Sequence, residues 1–71
     1  MTNYQWDEDD FLWDGNHCCG WVGPIEESSI FYGRTSGSRE HPTVRGEFDT
    51  LDEARAFVQL MAAMGHRHGP I

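Results

Sequence analysis

Residues 43–65 read TVRGEFDTLDEARAFVQLMAAMG, and within them the hydrophobic period changes from two to about 3.6. Up to Asp49 the pattern alternates, with Val44, Gly46 and Phe48 against Thr43, Arg45 and Glu47, as a half-buried strand does. Then Thr50-Leu51-Asp52-Glu53 forms a capping box: Thr50 caps the free amides of a first helical turn and Glu53 reaches back. Asp52 and Glu53 sit where the helix dipole favours negative charge. Leu51, Ala54, Phe57, Val58, Leu60, Met61 and Met64 fall on one broad face at about 100° per residue, with Asp52, Arg55 and Gln59 opposite. Gly65 is placed to end the helix in a left-handed conformation, before the polar tail His66, Arg67, His68.

Working back from this strand and helix, residues 29–35 alternate, with Ile30 and Tyr32 on one side and Phe31 on the other. Residues 36–42 form a polar loop punctuated by Gly37 and Pro42, which predicts an antiparallel hairpin with a long tip. Residues 18–25 are a third strand, with Cys19, Trp21 and Ile25 on one face; Gly20 and Gly23 weaken it or mark a bulge. Asp14-Gly15-Asn16 is a turn, so residues 11–13 pair back as a short fourth strand. Residues 4–10 either extend that strand or hang as an arm, residues 1–10 together being an extended acidic arm or an edge strand. The expected fold is α+β, a three- or four-stranded antiparallel sheet with one C-terminal helix packed on one face. The helix is expected to cover Ile30, Tyr32, Val44 and Phe48.

The 71 residues suffice for one small domain with a modest core. Trp, Phe, Ile and Val are too frequent for a wholly disordered chain. No segment approaches the roughly 20 apolar residues of a membrane span, and the N-terminus lacks the basic and apolar regions of a signal peptide. A cytoplasmic protein that meets no membrane is expected. The two cysteines, Cys18 and Cys19, are adjacent, and a bridge between neighbours is strained, so reduced thiols are expected.

The formal charge of -7 is confined to the first half. Residues 1–33 hold Asp7, Glu8, Asp9, Asp10, Asp14, Glu26 and Glu27 and no Lys or Arg. From Arg34 onward five acids are balanced by five arginines; of these Arg34, Arg39, Arg45 and Arg55 either form a minor basic strip or, as expected here, pair with nearby Glu40, Glu47 and Asp52. Such a field attracts basic partners and repels nucleic acid and anionic membranes. Direct nucleic-acid binding is therefore not expected. The sharpest motif is Trp6-Asp7-Glu8-Asp9-Asp10-Phe11-Leu12-Trp13-Asp14. One reading makes it a docking surface, in which Trp6 and Trp13 anchor and the carboxylates meet a partner's arginines. The other makes the aromatics core and the acids a solvated edge that discourages aggregation. Glu26 and Glu27 join the acidic run only if both lie at one end of the sheet.

His17, Cys18, Cys19, His41, His66 and His68 offer metal-ligand chemistry, but their spacing lacks the two separated pairs of a structural zinc site. No metal and no cofactor is expected. Nor does the chain show a nucleophile elbow, a phosphate-binding glycine loop or a paired-carboxylate site, and so short a chain hardly encloses a cleft. The expectation is a protein that is not an enzyme.

In size, single domain, the acidic run at residues 7–10 and the lack of enzyme motifs, the chain resembles the small acidic inhibitors of phages and mobile elements. Anti-CRISPR proteins and antirestriction DNA mimics are of this type. The resemblance implies stoichiometric binding to a basic nucleic-acid-binding groove of an effector complex such as a CRISPR surveillance complex. Asp7, Glu8, Asp9, Asp10, Asp14, Glu26 and Glu27 would then stand in for phosphates, with Trp6 and Trp13 as anchors. The balanced second half departs from whole-surface mimicry and favours one acidic face. The alternative is a cytosolic protein–protein interaction module, monomeric or homodimeric, whose acids are solvated surface.

Overall fold

A computed structural model describes residues 4–37 and 42–64. Five strands, β1 (Tyr4–Trp6), β2 (Phe11–Asp14), β3 (His17–Pro24), β4 (Phe31–Thr35) and β5 (Arg45–Phe48), precede one helix, α1 (Leu51–Ala63). The strands form one antiparallel sheet in the order β1-β2-β3-β4-β5, so each is hydrogen-bonded to its neighbour in the chain. The helix lies on one face, against β3, β4 and β5. This is the expected α+β architecture with one strand more than the three or four expected.

The additional strand is β1, which is neither an arm nor an extension of β2. It turns back at residues 7–10 and pairs with β2, Gln5 opposite Trp13 and Trp6 opposite Leu12. Asp7 makes that reversal. Its Oδ1 accepts from the backbone N–H of Asp9 at 2.9 Å and of Phe11 at 3.0 Å, and its Oδ2 from the Trp13 indole N–H at 2.8 Å. An Asp side chain that gathers amides a few residues on is a turn-forming device. Asp10 completes the turn with φ of 64°, a left-handed conformation that Asp tolerates better than most residues.

Between β2 and β3 the register shifts: Leu12 faces Gly20 while Trp13 faces Cys18, so Cys19 is the extra residue of a bulge. The sequence points to a bulge through Gly20. Ser36 supports it, its N–H donating to the Cys19 carbonyl at 2.9 Å and its hydroxyl to the Cys18 carbonyl at 2.6 Å. Both cysteines are free, and Cys19 is fully buried in the core.

Glycines decide which face the helix takes. A Cβ on Gly20 would stand 2.7 Å from Val58 Cγ1, and one on Gly33 would stand 2.9 Å from both the Ala54 carbonyl and Val58 Cγ2. The helix therefore rests almost on bare backbone, through the stripe Ala54, Val58, Ala62, with Leu12, Cys19 and Val22 completing the core. Side chains alternate along a strand, so Phe31 shares the helix side with Gly33 while Tyr32 and Arg34 point away. The expectation that Tyr32 lies beneath the helix is thus corrected: Phe31 takes that role, and Phe48 meets Phe57 with ring centroids 5.0 Å apart, as expected of Phe48.

The close approach also narrows the buried stripe of the helix. Leu60 and Met64, read from the sequence as part of the broad apolar face, are instead 58% and 63% exposed. The helix start matches the capping box: Thr50 Oγ1 accepts from the Glu53 N–H at 3.1 Å and donates to Glu53 Oε1 at 3.1 Å. The helix closes at Met64; Gly65 and the tail lie outside the described residues.

Candidate partner-binding surface

In a meander of antiparallel strands, connections alternate between the two ends of the sheet. The β1–β2, β3–β4 and β5–α1 connections therefore share one end, and the β2–β3 and β4–β5 connections share the other. The register agrees: Phe11 opens β2 opposite Trp21 near the close of β3, and Phe31 opens β4 opposite Phe48, the last residue of β5. The first connection carries Asp7, Glu8, Asp9 and Asp10, the third Glu26 and Glu27, and the fifth leads from Asp49 to Asp52 and Glu53. Glu26 and Glu27 thus lie at the same end as the acidic run. Asp14 does not: it faces His17 across the second turn, at the opposite end.

The acids of this end divide by what they do. Asp7 is held by three donors, and the Phe11 N–H, then the Trp13 indole, keep its carboxyl below the usual carboxylate range. Asp10 forms an ion pair with Arg55, whose guanidinium also stands 5.6 Å from the centre of the Trp6 ring. Arg55 was expected to pair locally and to point away from the sheet; instead it ties α1 to the first hairpin. Its Nε is buried without a hydrogen-bond partner among the described residues. Glu53 belongs to the helix cap. Glu8, Asp9, Glu26, Glu27, Asp49 and Asp52 are exposed and make no hydrogen bond or ion pair through their side chains with a described residue.

The aromatic anchors are likewise drawn into the fold. Trp6 packs against the core beneath Arg55, and Trp13 is half-buried with its indole committed to Asp7. A shallow depression of about 380 Å³ at this end is lined by Ile30, Glu47, Phe48, Asp49 and Glu53. The acidic end is therefore broader than the sequence indicates. Asp49, Asp52 and Glu53 join it because in an antiparallel meander the fifth connection returns to the end of the first and third.

Other expected pairings fall as follows. Arg45 and Glu47 form an ion pair at 2.8 Å, as expected. Arg39, Glu40, His41, His66 and His68 lie outside the described residues. Among the described residues no three His, Cys, Asp or Glu side chains converge as metal ligands do. Burial pushes the Cys18 thiol above its ordinary range, which disfavours the thiolate that a nucleophile needs. No described helix is long and apolar enough to cross a membrane.

No protein-family model matches the chain, and neither a curated protein nor a solved structure matches it.

Proposed function

We infer that this chain is a non-enzymatic binding protein whose acidic end occupies a basic, nucleic-acid-binding surface of an effector complex, of the kind that anti-CRISPR proteins inhibit. One observation carries the reading: three connections bring exposed carboxylates to one end of the sheet, and Arg55, the cation that reaches this end among the described residues, is already paired with Asp10. Carboxylates without counter-charges repel one another, and a domain this small has little stability in reserve. A partner that brings arginines relieves that repulsion and gains charge-assisted hydrogen bonds. The residues assigned to the contact are Glu8, Asp9, Glu26 and Glu27, with Asp49 and Asp52 extending it. Asp7, Asp10, Trp6 and Trp13 shape the turn that presents them.

This division changes the variant to be tested. Neutralising residues 7–10 together would break the hairpin, whereas Glu8→Gln, Asp9→Asn, Glu26→Gln and Glu27→Gln touch only solvated side chains. Tagged native protein and this fourfold variant are compared in capture from bacterial lysate, followed by elution with duplex DNA. The native chain is expected to retain a nucleic-acid-binding complex that DNA and salt displace, and the variant to lose it. A partner held equally by both, indifferent to salt, would transfer the function to an uncharged surface.

A further inference from the structure

We propose that the sheet face opposite the helix binds a second copy of this chain, forming a weak two-fold dimer with the two sheets face to face. On that face Phe11 and Trp21 lie with ring centroids 5.7 Å apart, Arg34 stands over the Trp21 ring at 5.4 Å, and Arg45 over the Tyr32 ring at 5.2 Å. Phe11 is 36% exposed. Trp, Tyr and Arg are the residue types that carry most binding energy at protein interfaces. The described helix covers the other face, so these groups are open to a partner.

The pattern of rows argues for a copy of the same chain. Counting from the acidic end, one outward row holds Gly23, Tyr32 and Glu47 on β3, β4 and β5, and the next outward row holds Trp21, Arg34 and Arg45. A two-fold axis perpendicular to the strands, passing between these rows, lays each row of one copy over the other row of its mate. Trp21 then meets the Tyr32 ring, which lies beside the bare backbone of Gly23. Arg45 meets Glu47, and Arg34, which has no ion pair with a described carboxylate, comes within reach of the same acid. Each contact occurs twice, as an isologous interface requires.

The axis also carries the acidic end of each copy away from that of its mate. A two-fold axis parallel to the strands would superpose the acidic ends, and repulsion rejects it. Five strands about 4.8 Å apart, averaging about five residues at about 3.3 Å per residue, offer roughly 400 Å² per copy. That is about half of what a stable interface buries per partner, so the dimer is expected to be weak, with Kd on the order of tens to hundreds of micromolar.

Sedimentation equilibrium from low micromolar to millimolar concentration tests this, with Arg34→Glu and Trp21→Ser checked for native circular dichroism. Expected is a rise toward twice the monomer mass in the native chain and at least about tenfold weaker association in each variant. A chain monomeric to millimolar concentration would overturn the proposal. So would a dimer untouched by these changes but lost on Leu60→Ser and Met64→Ser, which would place the contact on the helix. Binding of a single-stranded oligonucleotide that Trp21→Ser abolishes would assign the face to stacked bases instead.

Discussion

At the scale of single residues, Asp7 and the sheet glycines hold more of the fold than any of the exposed acids. Asp7→Ala removes the acceptor of three N–H groups and is expected to lower the thermal midpoint clearly, while Glu8→Ala does not lower it. The pH dependence has a definite sign. The folded-state pKa of Asp7 lies below its unfolded value near 3.8, so its contribution is complete above that value. It is lost as pH falls below about 4 through the lower folded pKa. Thermal unfolding followed by circular dichroism from pH 7 down to about 2.5 should show the native chain converging on Asp7→Ala. The glycines give a graded expectation: a Cβ on Gly20 would stand 2.4 Å from the Arg34 carbonyl, a backbone atom that cannot rotate aside, against 2.9 Å for Gly33 and the Ala54 carbonyl. Gly33→Ala is expected to cost about 1–3 kcal/mol, the usual range of overpacking, and Gly20→Ala more, both measured by urea denaturation.

At the scale of elements, each of the two acidic turns is closed by its own hydrogen bonds and holds one acid at positive φ, Asp10 in the first and Glu27 in the third connection. Ile25 N–H donates to the Ile30 carbonyl at 3.0 Å and Ser28 N–H to the Ile25 carbonyl at 3.2 Å, closing the third connection around Glu27. Glu27 has φ of 62°, where a side chain is strained and glycine is not. Glu27→Gly is therefore expected to be neutral or to stabilise by up to about 1 kcal/mol in urea denaturation, although it deletes a carboxylate of the acidic end. The elements were unevenly legible. The helix was readable from Thr50 onward because a capping box and a 3.6 period are local signals. The first hairpin was not, because four acids in a row look the same whether they tile a strand or cap a turn, and only the amides gathered by Asp7 distinguish the two.

At the scale of the whole molecule, charge is segregated along the strand direction. The acids concentrate beyond the ends of β1, β3 and β5, while Arg34 and Arg45 sit nearer the other end, opposite one another in the register. Like-charge repulsion at the acidic end is screened by salt over about 8–10 Å. The thermal midpoint of the native chain is thus expected to rise between low and moderate salt. The fourfold variant at Glu8, Asp9, Glu26 and Glu27 should start higher and depend less on salt; equal salt dependence in both would show that the carboxylates are too far apart to interact. The same geometry separates the solvated acids proposed to bind from Asp7 and Asp10, which hold the fold, and nothing in their spacing along the chain does so.

The sequence by itself determined the α+β class, the helix and its cap, the turn at Asp14-Gly15-Asn16 and the excess of acid in the first half. Each rests on neighbours in the chain, through period, capping or turn chemistry. The tertiary structure alone decided that Phe31 rather than Tyr32 lies beneath the helix, that Arg55 pairs with Asp10, and that Asp14 stands apart while Asp49, Asp52 and Glu53 join the acidic end. These depend on how the antiparallel strands run, which sets the end to which each connection returns, and on which face the glycines open to the helix. A shift of one residue exchanges the two faces of a sheet.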